Sequence, residues 1–555
     1  MSNNKTNIVF YYYLNNQLGG GNKNKWTSFI HNGVMFAPKY KPHGIPIKYK
    51  NKEIKLNPEQ EEYATLYAKY INTDYIKNKT FNKNFFKSWK PLVKNLGIDT
   101  LEDCDFTSIY NHLLDEKEQK LKMTKEEKER IKLEQKKEEE KYKIAYLDNK
   151  QEEVGNFKIE PPGIFIGRGC HPKLGTVKKR ILPKDVTLNI SKDAEIPNGK
   201  NFWKKVIHNK QNEWLASWKD DITGKTKYVW LSNKSSFKSQ SDEEKFNKAR
   251  KLNKKIDKIR DINNNNLTND NIKIRQLSTS LYLIDTLALR VGNEKNDDEA
   301  DTVGVTSLRY EHITLLENNN IKLDFLGKDS VRYTKQFEVP SLVYKNISDF
   351  LKEKKKGDDL FDKIRSIDLN EYIKEFSENL TAKVFRTFNA SNTFQKELNN
   401  ITRKYKNYDK NDKESIVMSE FNKASAKIAV LCNHQKNISK NFGENIKKIE
   451  DKIKEIKLKI NKLEDEYKNE KKEKKSKIKE KIEKLKERKN KERIKKELKI
   501  EMKNISTTTS RDNYIDPRIT VAFLKTHNID FSRAFNENTL NKFRWAIDTD
   551  KDWQF

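Results

Sequence analysis

The chain has 555 residues, and its 114 Lys and Arg exceed its 82 Asp and Glu by 32, an excess that points to a polyanionic partner, most simply nucleic acid. With 34% hydrophobic and 35% charged residues, charge must concentrate in segments that build no core, although the length suits several domains. No run approaches 18 apolar residues, Met1–Lys5 opens no signal-like apolar stretch, and three cysteines (Cys104, Cys170, Cys432) cannot form a disulfide framework, which argues against membrane spanning, secretion and an oxidising compartment.

Residues 1–26, Asn-rich with a Gly19-Gly20-Gly21 run, predict a flexible tail. Globular composition follows from Trp26, with a helix from Pro58 to about Tyr70. A single long charged helix is expected over about 113–143, where Thr124 and Glu127 form a capping-box pair. Residues 154–240 turn to Gly/Pro punctuation and β-type runs such as Tyr228-Val229-Trp230-Leu231. Helical periodicity returns over 243–292 through Leu277, Leu281, Ile284 and Ala288, and Arg290 is expected in the last helical turn. Leu323 and Phe325 alternate up to Gly327, and Val331 and Tyr333 continue after it, a strand–turn–strand pattern; helices then dominate to 436. Residues 441–500 hold 24 Lys and Arg against 14 Asp and Glu. Ile446, Ile449, Ile453, Ile456, Ile460, Leu463 and Tyr467 make a heptad seam that resumes out of phase at Ile478, Ile482 and Leu485, the pattern of two antiparallel helices in a basic coiled-coil hairpin, with one long solvated helix as the other reading of the same residues. The last 50 residues regain globular, aromatic-rich composition.

Several chemistries lack their residues. Gly224-Lys225-Thr226 ends like a phosphate-binding loop, but Lys219 stands where the upstream glycine belongs. Cys170-His171 has no second pair at zinc spacing, and carboxylates do not cluster in a two-metal pattern. What remains for a phosphodiester is covalent catalysis by a side chain. That requires a nucleophile, cations for the pentacoordinate phosphate and an acid for the leaving 5′ oxygen. Arg290, Lys328 in the turn Gly327-Lys328-Asp329-Ser330, Arg386 beside the core-facing Phe385 and Phe388, His434 after the run Ile428–Cys432, and Tyr514 before Asp516-Pro517 are candidates. Each also has an ordinary structural reading: a helix-end cation, a solvated turn lysine, a helix-end histidine, one tyrosine among 22.

The words around these residues resemble one family, the eukaryotic-type DNA topoisomerases I (type IB). The resemblance runs from about Trp26 to Phe555 through Phe157–Gly163, Leu287–Lys295, Asp301–Gly304, Asp324–Ser330, Thr381–Thr387, Leu431–Gln435, Asn513–Val521 and Trp545–Asp548. It implies that Tyr514 is the nucleophile of a 3′-phosphotyrosyl link. Arg290, Arg386 and His434 would bind the non-bridging oxygens, and Lys328 would protonate the leaving oxygen. Arg168, Asp329, Asn513 and Lys383 match DNA-contacting positions near the break, including those reached by camptothecin-like poisons. The implied fold is α+β and multidomain, a monomeric bilobed clamp on duplex DNA of largely any sequence, without cofactor or metal. Its parts are a mixed α/β cap over 27–240 with the charged helices near 113–143 projecting, a mostly helical catalytic lobe over 241–436, an antiparallel coiled-coil linker over 437–503, and a small helical C-terminal domain over 504–555. The implied location is the nucleus, or a viral factory or virion if the source is a large DNA virus. Two departures stand out: the family's Arg-Gly-Arg reads Ile166-Gly167-Arg168, and only residues 1–25 precede Trp26 in this sequence where a long basic extension is expected of nuclear members. A tyrosine recombinase, the nearest other reading, would carry His-x-x-Arg in place of Lys383-Val384-Phe385-Arg386 and no long linker. A catalytically decayed basic scaffold would have lost one of the five residues.

Overall fold

The computed structural model describes residues 24–296, 299–408, 412–469 and 471–555. Of the expected tail over 1–26, residues 1–23 lie outside the described residues. The chain is α+β and divides into two compact units, one of residues 1–238 with 295–301, the other of 239–294 with 302–555. None of the described helices is long and apolar enough to cross a membrane.

Among its described residues the first unit combines small sheets with four α-helices. Strands β1 (Phe29–His31), β5 (Ile144–Leu147) and β6 (Lys150–Glu153) form an antiparallel sheet, and β2 (Ile47–Tyr49), β3 (Lys52–Ile54) and β4 (Cys104–Asp105) another. β7 (Gly163–Ile164) pairs with β8 (Val177–Lys178). A four-stranded sheet is ordered β10 (Lys205–Ile207), β9 (Thr187–Asn189), β11 (Ala216–Lys219), β12 (Thr226–Val229), with β9 and β10 parallel. Asn57 starts α1 (Pro58–Ala68) by a reciprocal capping box with Gln60, and Pro58 occupies the first turn where its missing N–H costs nothing. In α2 (Lys79–Val93), Phe81, Phe85, Trp89 and Val93 recur every four residues and are fully buried. The charged segment departs from the expectation of one long helix. α3 (Thr107–Lys122) stops at extended Met123, and α4 (Lys125–Glu140) begins anew with Thr124 as N-cap. The reciprocal Thr124–Glu127 bonds need Thr124 outside helical geometry, so this capping pair sets the break.

The second unit is mainly helical, with most of α5 (Ser236–Asn253) together with α6 (Ile256–Asn266), α7 (Ile272–Leu287), α8 (Ser341–Leu351), α9 (Ser366–Phe376), α10 (Ala382–Lys404) and α11 (Lys413–Leu431). A meander of β13 (Ile313–Leu315), β14 (Asn320–Gly327) and β15 (Val331–Glu338) lies among them, with Ile321, Leu323, Phe325 and Tyr333 turned into the core. Helices α12 (Phe442–Asn469) and α13 (Lys472–Glu501) pack on each other through Ile456, Ile460 and Ile482. Ion pairs Lys486–Glu464, Lys452–Glu492 and Lys496–Glu450 fix their opposite directions. After them come α14 (Thr507–Asn513), α15 (Pro517–Thr526) and α16 (Glu537–Lys542). α15 has Asp516 as N-cap and Pro517 in its first turn. It packs in a second core with Phe394, Phe421 and Phe543.

Candidate active site

Four of the five proposed catalytic side chains meet where the ends of α7, α11 and α14 face α10. Phe385, Thr387 and Phe388 of α10 are buried, and so is Arg386, which is 4% exposed although the pattern placed only the phenylalanines in the core. Its guanidinium donates through Nη1 to the Ala288 carbonyl and through Nη2 to the Cys432 carbonyl, while Nε has no partner. Both acceptors sit at helix ends, where carbonyls are free of the helical ladder. Ala288 closes α7 in the left-handed conformation at φ 50°, which costs a residue with a side chain about 1–2 kcal/mol and aims its carbonyl away from the helix. Arg290 therefore lies in the coil beyond α7, and not in its last turn as its position in the periodic segment suggested.

That coil is held from below by close backbone contact. Gly292 has φ 90°, and a Cβ on Gly304 would stand 2.3 Å from the Gly292 nitrogen and 2.8 Å from the Arg290 carbonyl oxygen. The Val305 amide donates to the Arg290 carbonyl at 2.9 Å, and the Thr306 amide and hydroxyl to that of Val291. The Arg290 guanidinium is lowered in pKa by burial and by the charge of Arg386, against the raising effect of Tyr514. Among the described residues neither Arg290 nor Arg386 has a carboxylate at ion-pair distance.

His434 follows Asn433, which takes φ 51° after α11 and turns the chain. Its ring is buried, stacks on Tyr514 with centroids 5.4 Å apart, and places Nε2 3.5 Å from Arg386 Nη2. Its Nδ1 is 2.6 Å from the Ser510 hydroxyl. Burial first, then the charges of Arg386 and Arg290, hold its pKa down to about 3, so the imidazole is neutral at physiological pH. Tyr514 caps the C-terminus of α14, half-buried, with its ring 4.9 Å from Arg386 Cζ. Ser391, fully buried on α10, donates to the Tyr514 carbonyl and accepts from the Asp516 amide, both at 3.0 Å, so the helix that carries Arg386 also anchors the tyrosine's loop.

Lys328 is exposed at the start of the three-residue turn between β14 and β15, where Asp329 and Ser330 take φ 67° and 58°. It lines one cavity with Arg290, Arg386, Tyr333 and Cys432. Burial pushes the Tyr333 hydroxyl up to about 12 and also raises the Cys432 thiol, so both stay protonated there. Lys383 is exposed on α10 one turn before Arg386, and Asn513 is exposed with its side-chain amide on the Thr509 carbonyl. Arg168 belongs to the first unit, exposed between Gly167 and Gly169, both with positive φ. Ile166, the residue that departs from the resemblance, packs against that unit's core. Sequence reasoning missed Ala288, Ser391, Cys432 and Ser510, whose parts here come from carbonyls and hydroxyls that carry no pattern of their own.

Family models match the chain in order: the eukaryotic DNA topoisomerase I DNA-binding fragment over residues 24–231, its catalytic core over 234–467, and the C-terminal topoisomerase domain over 486–555. DNA topoisomerase 1 beta of Arabidopsis thaliana is 43% identical over 557 residues, covering 97% of this chain and 60% of the relative. DNA topoisomerase 1 of Caenorhabditis elegans is 40% identical over 94% of this chain and 67% of the relative. DNA topoisomerase 1 of Homo sapiens is 40% identical over 96% of this chain and 72% of the relative. The chain thus spans about three fifths of the length of its Arabidopsis relative.

Proposed function

The chain belongs to the eukaryotic DNA topoisomerase I family, and from that premise we propose that it relaxes supercoiled duplex DNA by cutting and resealing one strand through a 3′-phosphotyrosyl intermediate. One observation carries the reading. Two guanidiniums without a carboxylate, one of them buried with an unused Nε donor, converge with a neutral histidine on the side chain of Tyr514. Unpaired buried cations are costly unless an anion completes them, and a phosphodiester is such an anion.

In this mechanism the Tyr514 hydroxyl gives its proton to solvent water as its oxygen attacks phosphorus, and the bond from phosphorus to the 5′ oxygen breaks. Lys328 gives a proton to that oxygen, which leaves as a 5′ hydroxyl. Arg290, Arg386 and His434 hold the non-bridging oxygens as charge builds. Ionising a free tyrosine at neutral pH costs roughly 4 kcal/mol, which the paired guanidiniums offset by favouring the anionic transition state. The bond energy stays in the phosphotyrosine, so the reverse attack reseals the strand without ATP. Arg168, Asp329, Asn513 and Lys383 contact DNA beside the break, where a camptothecin-like poison would also lodge.

The same reading assigns residues 27–240 and 241–436 to the two lobes of a monomeric clamp, 437–503 to a coiled-coil linker and 504–555 to the domain that delivers Tyr514. Binding rests mostly on phosphates and so tolerates many sequences. The nucleus or a viral factory is the place such an enzyme would act. Purified protein should relax both negative and positive supercoils in excess chelator without ATP, and Tyr514→Phe should abolish cleavage while sparing DNA binding. An absolute need for magnesium or ATP, or an adduct on the 5′ side or on another tyrosine, would overturn the proposal.

A further inference from the structure

We propose that Ser510 is a positioning residue that locks His434 in the tautomer carrying its proton on Nε2, so that the imidazole presents a donor to the phosphate. The inference rests on the functional reading above for the phosphate, but the tautomer itself follows from the geometry. Ser510 is 0% exposed on α14, one turn before Tyr514, and its hydroxyl lies 2.6 Å from His434 Nδ1. Its backbone carbonyl is already taken by the Tyr514 and Ile515 amides. A buried hydroxyl proton needs an acceptor, and the Nδ1 lone pair is the one within reach. With Nδ1 accepting, the single proton of the neutral ring resides on Nε2.

The other tautomer fits worse. Nδ1–H would donate to the serine oxygen and strand the hydroxyl proton. Nε2 would then accept from Arg386 Nη2 only at 3.5 Å, well beyond the usual length of such a bond. In the favoured tautomer Nε2–H and the Arg386 fork are neighbouring donors with no acceptor between them, an arrangement that an oxyanion satisfies from both sides. Among the described residues the charged and titratable groups facing the ring are Arg386, Arg290 and Tyr514, and none of them is a carboxylate that would draw a second proton onto the imidazole. The serine thus ties the histidine's donor to the same short helix that ends in the nucleophile.

The test uses the full chain in two arms. First, ¹⁵N-histidine spectra of the free protein near pH 7 should show His434 Nδ1 as a pyridine-type nitrogen and Nε2 as a pyrrole-type one, and Ser510→Ala should shift both toward a mixture of tautomers. Second, single-turnover cleavage of a duplex oligonucleotide should slow about tenfold in Ser510→Ala, less than the 10²–10³-fold loss of a whole oxyanion donor, because the donor survives but is no longer fixed. Ser510→Thr, which keeps the hydroxyl, should recover most of the rate. In a His434→Ala background, Ser510→Ala should change the rate less than twofold, whereas a merely structural serine would slow that background equally. A pyrrole-type Nδ1 in the wild type, or an undiminished effect of Ser510→Ala in the His434→Ala background, would overturn the inference. A wild-type protein that forms no phosphotyrosine with the expected tautomer in place would overturn only the functional reading.

Discussion

Replacing Arg386 separates its part in the fold from the part proposed for it at the phosphate. Arg386→Ala deletes the donor to two carbonyls, those of Ala288 and Cys432. Each buried acceptor left unsatisfied costs about 1–3 kcal/mol, so the variant should lose about 2–6 kcal/mol of stability, offset in part by relief of the repulsion with Arg290. Its activity loss is therefore ambiguous. Arg386→Lys is the informative change. An ammonium keeps the charge and can reach a carbonyl, but it has no planar fork, and nothing replaces the Nε donor that the structure leaves unused. The lysine variant should lose less stability than the alanine variant. Its cleavage rate should still fall by about 10²–10³, the loss of about 2.7–4 kcal/mol expected when one donor to a developing oxyanion is removed. The rate is read in single turnover on a duplex nicked just beyond the cleavage point so that resealing cannot follow, and stability from denaturant midpoints of the same preparations. A lysine variant that cleaves within threefold of wild type would refute the reasoning, since the guanidinium would then be serving the two carbonyls alone.

Lys328→Ala should slow cleavage of ordinary DNA by on the order of 10²–10⁴ and recover nearly fully on DNA whose bridging 5′ oxygen is sulfur, because a thiolate leaves without a proton; equal defects on both substrates would remove Lys328 from the acid role. His434, held near 3, should show no NMR titration between pH 5 and 8, and a midpoint above 6 would contradict its burial beside two arginines. The sign for stability follows: the unfolded histidine, with its ordinary value of 6.5, takes up protons that the folded one refuses, so its contribution is intact above pH 6.5 and is lost as pH falls toward 3. Replacing Gly443–Lys499 by a short Gly/Ser segment should spare the cleavage chemistry and weaken DNA binding, chiefly at low salt; a variant that binds normally but never cleaves would assign the hairpin a catalytic part.

Much of the architecture was legible because local and tertiary demands agree. The alternation Leu323, Phe325, Tyr333 marks the β14–β15 hairpin, with all three side chains inside. Asp516-Pro517 marks the start of α15 through turn chemistry alone. The words around Arg290, Lys328, Arg386, His434 and Tyr514 identified the family, yet composition and periodicity could not place these residues together in space. The failures have physical causes. Ala288 turns left-handed where periodicity continues, which ejects Arg290 from α7. Thr124 was read as a cap within a helix, although a cap is a boundary. Arg386 is buried although the sequence pattern turned only Phe385 and Phe388 to the core, because its partners are carbonyls contributed from about 50 and 100 residues away. Ser391 and Ser510 are invisible for the same reason, since a serine's meaning lies in the groups it meets.

The back-to-back contact of Gly292 and Gly304 bears on how inactivating changes in this protein will be distributed. A methyl at Gly304 would collide with backbone, and no side-chain rotation could relieve it, so the segment bearing Arg290 would have to move. The proposed activity would thus depend on two positions that contribute no functional group at all. A survey that ranks sites by the chemistry of their side chains would pass over both, and a screen for loss of function in a well-folded protein should find them beside the arginines.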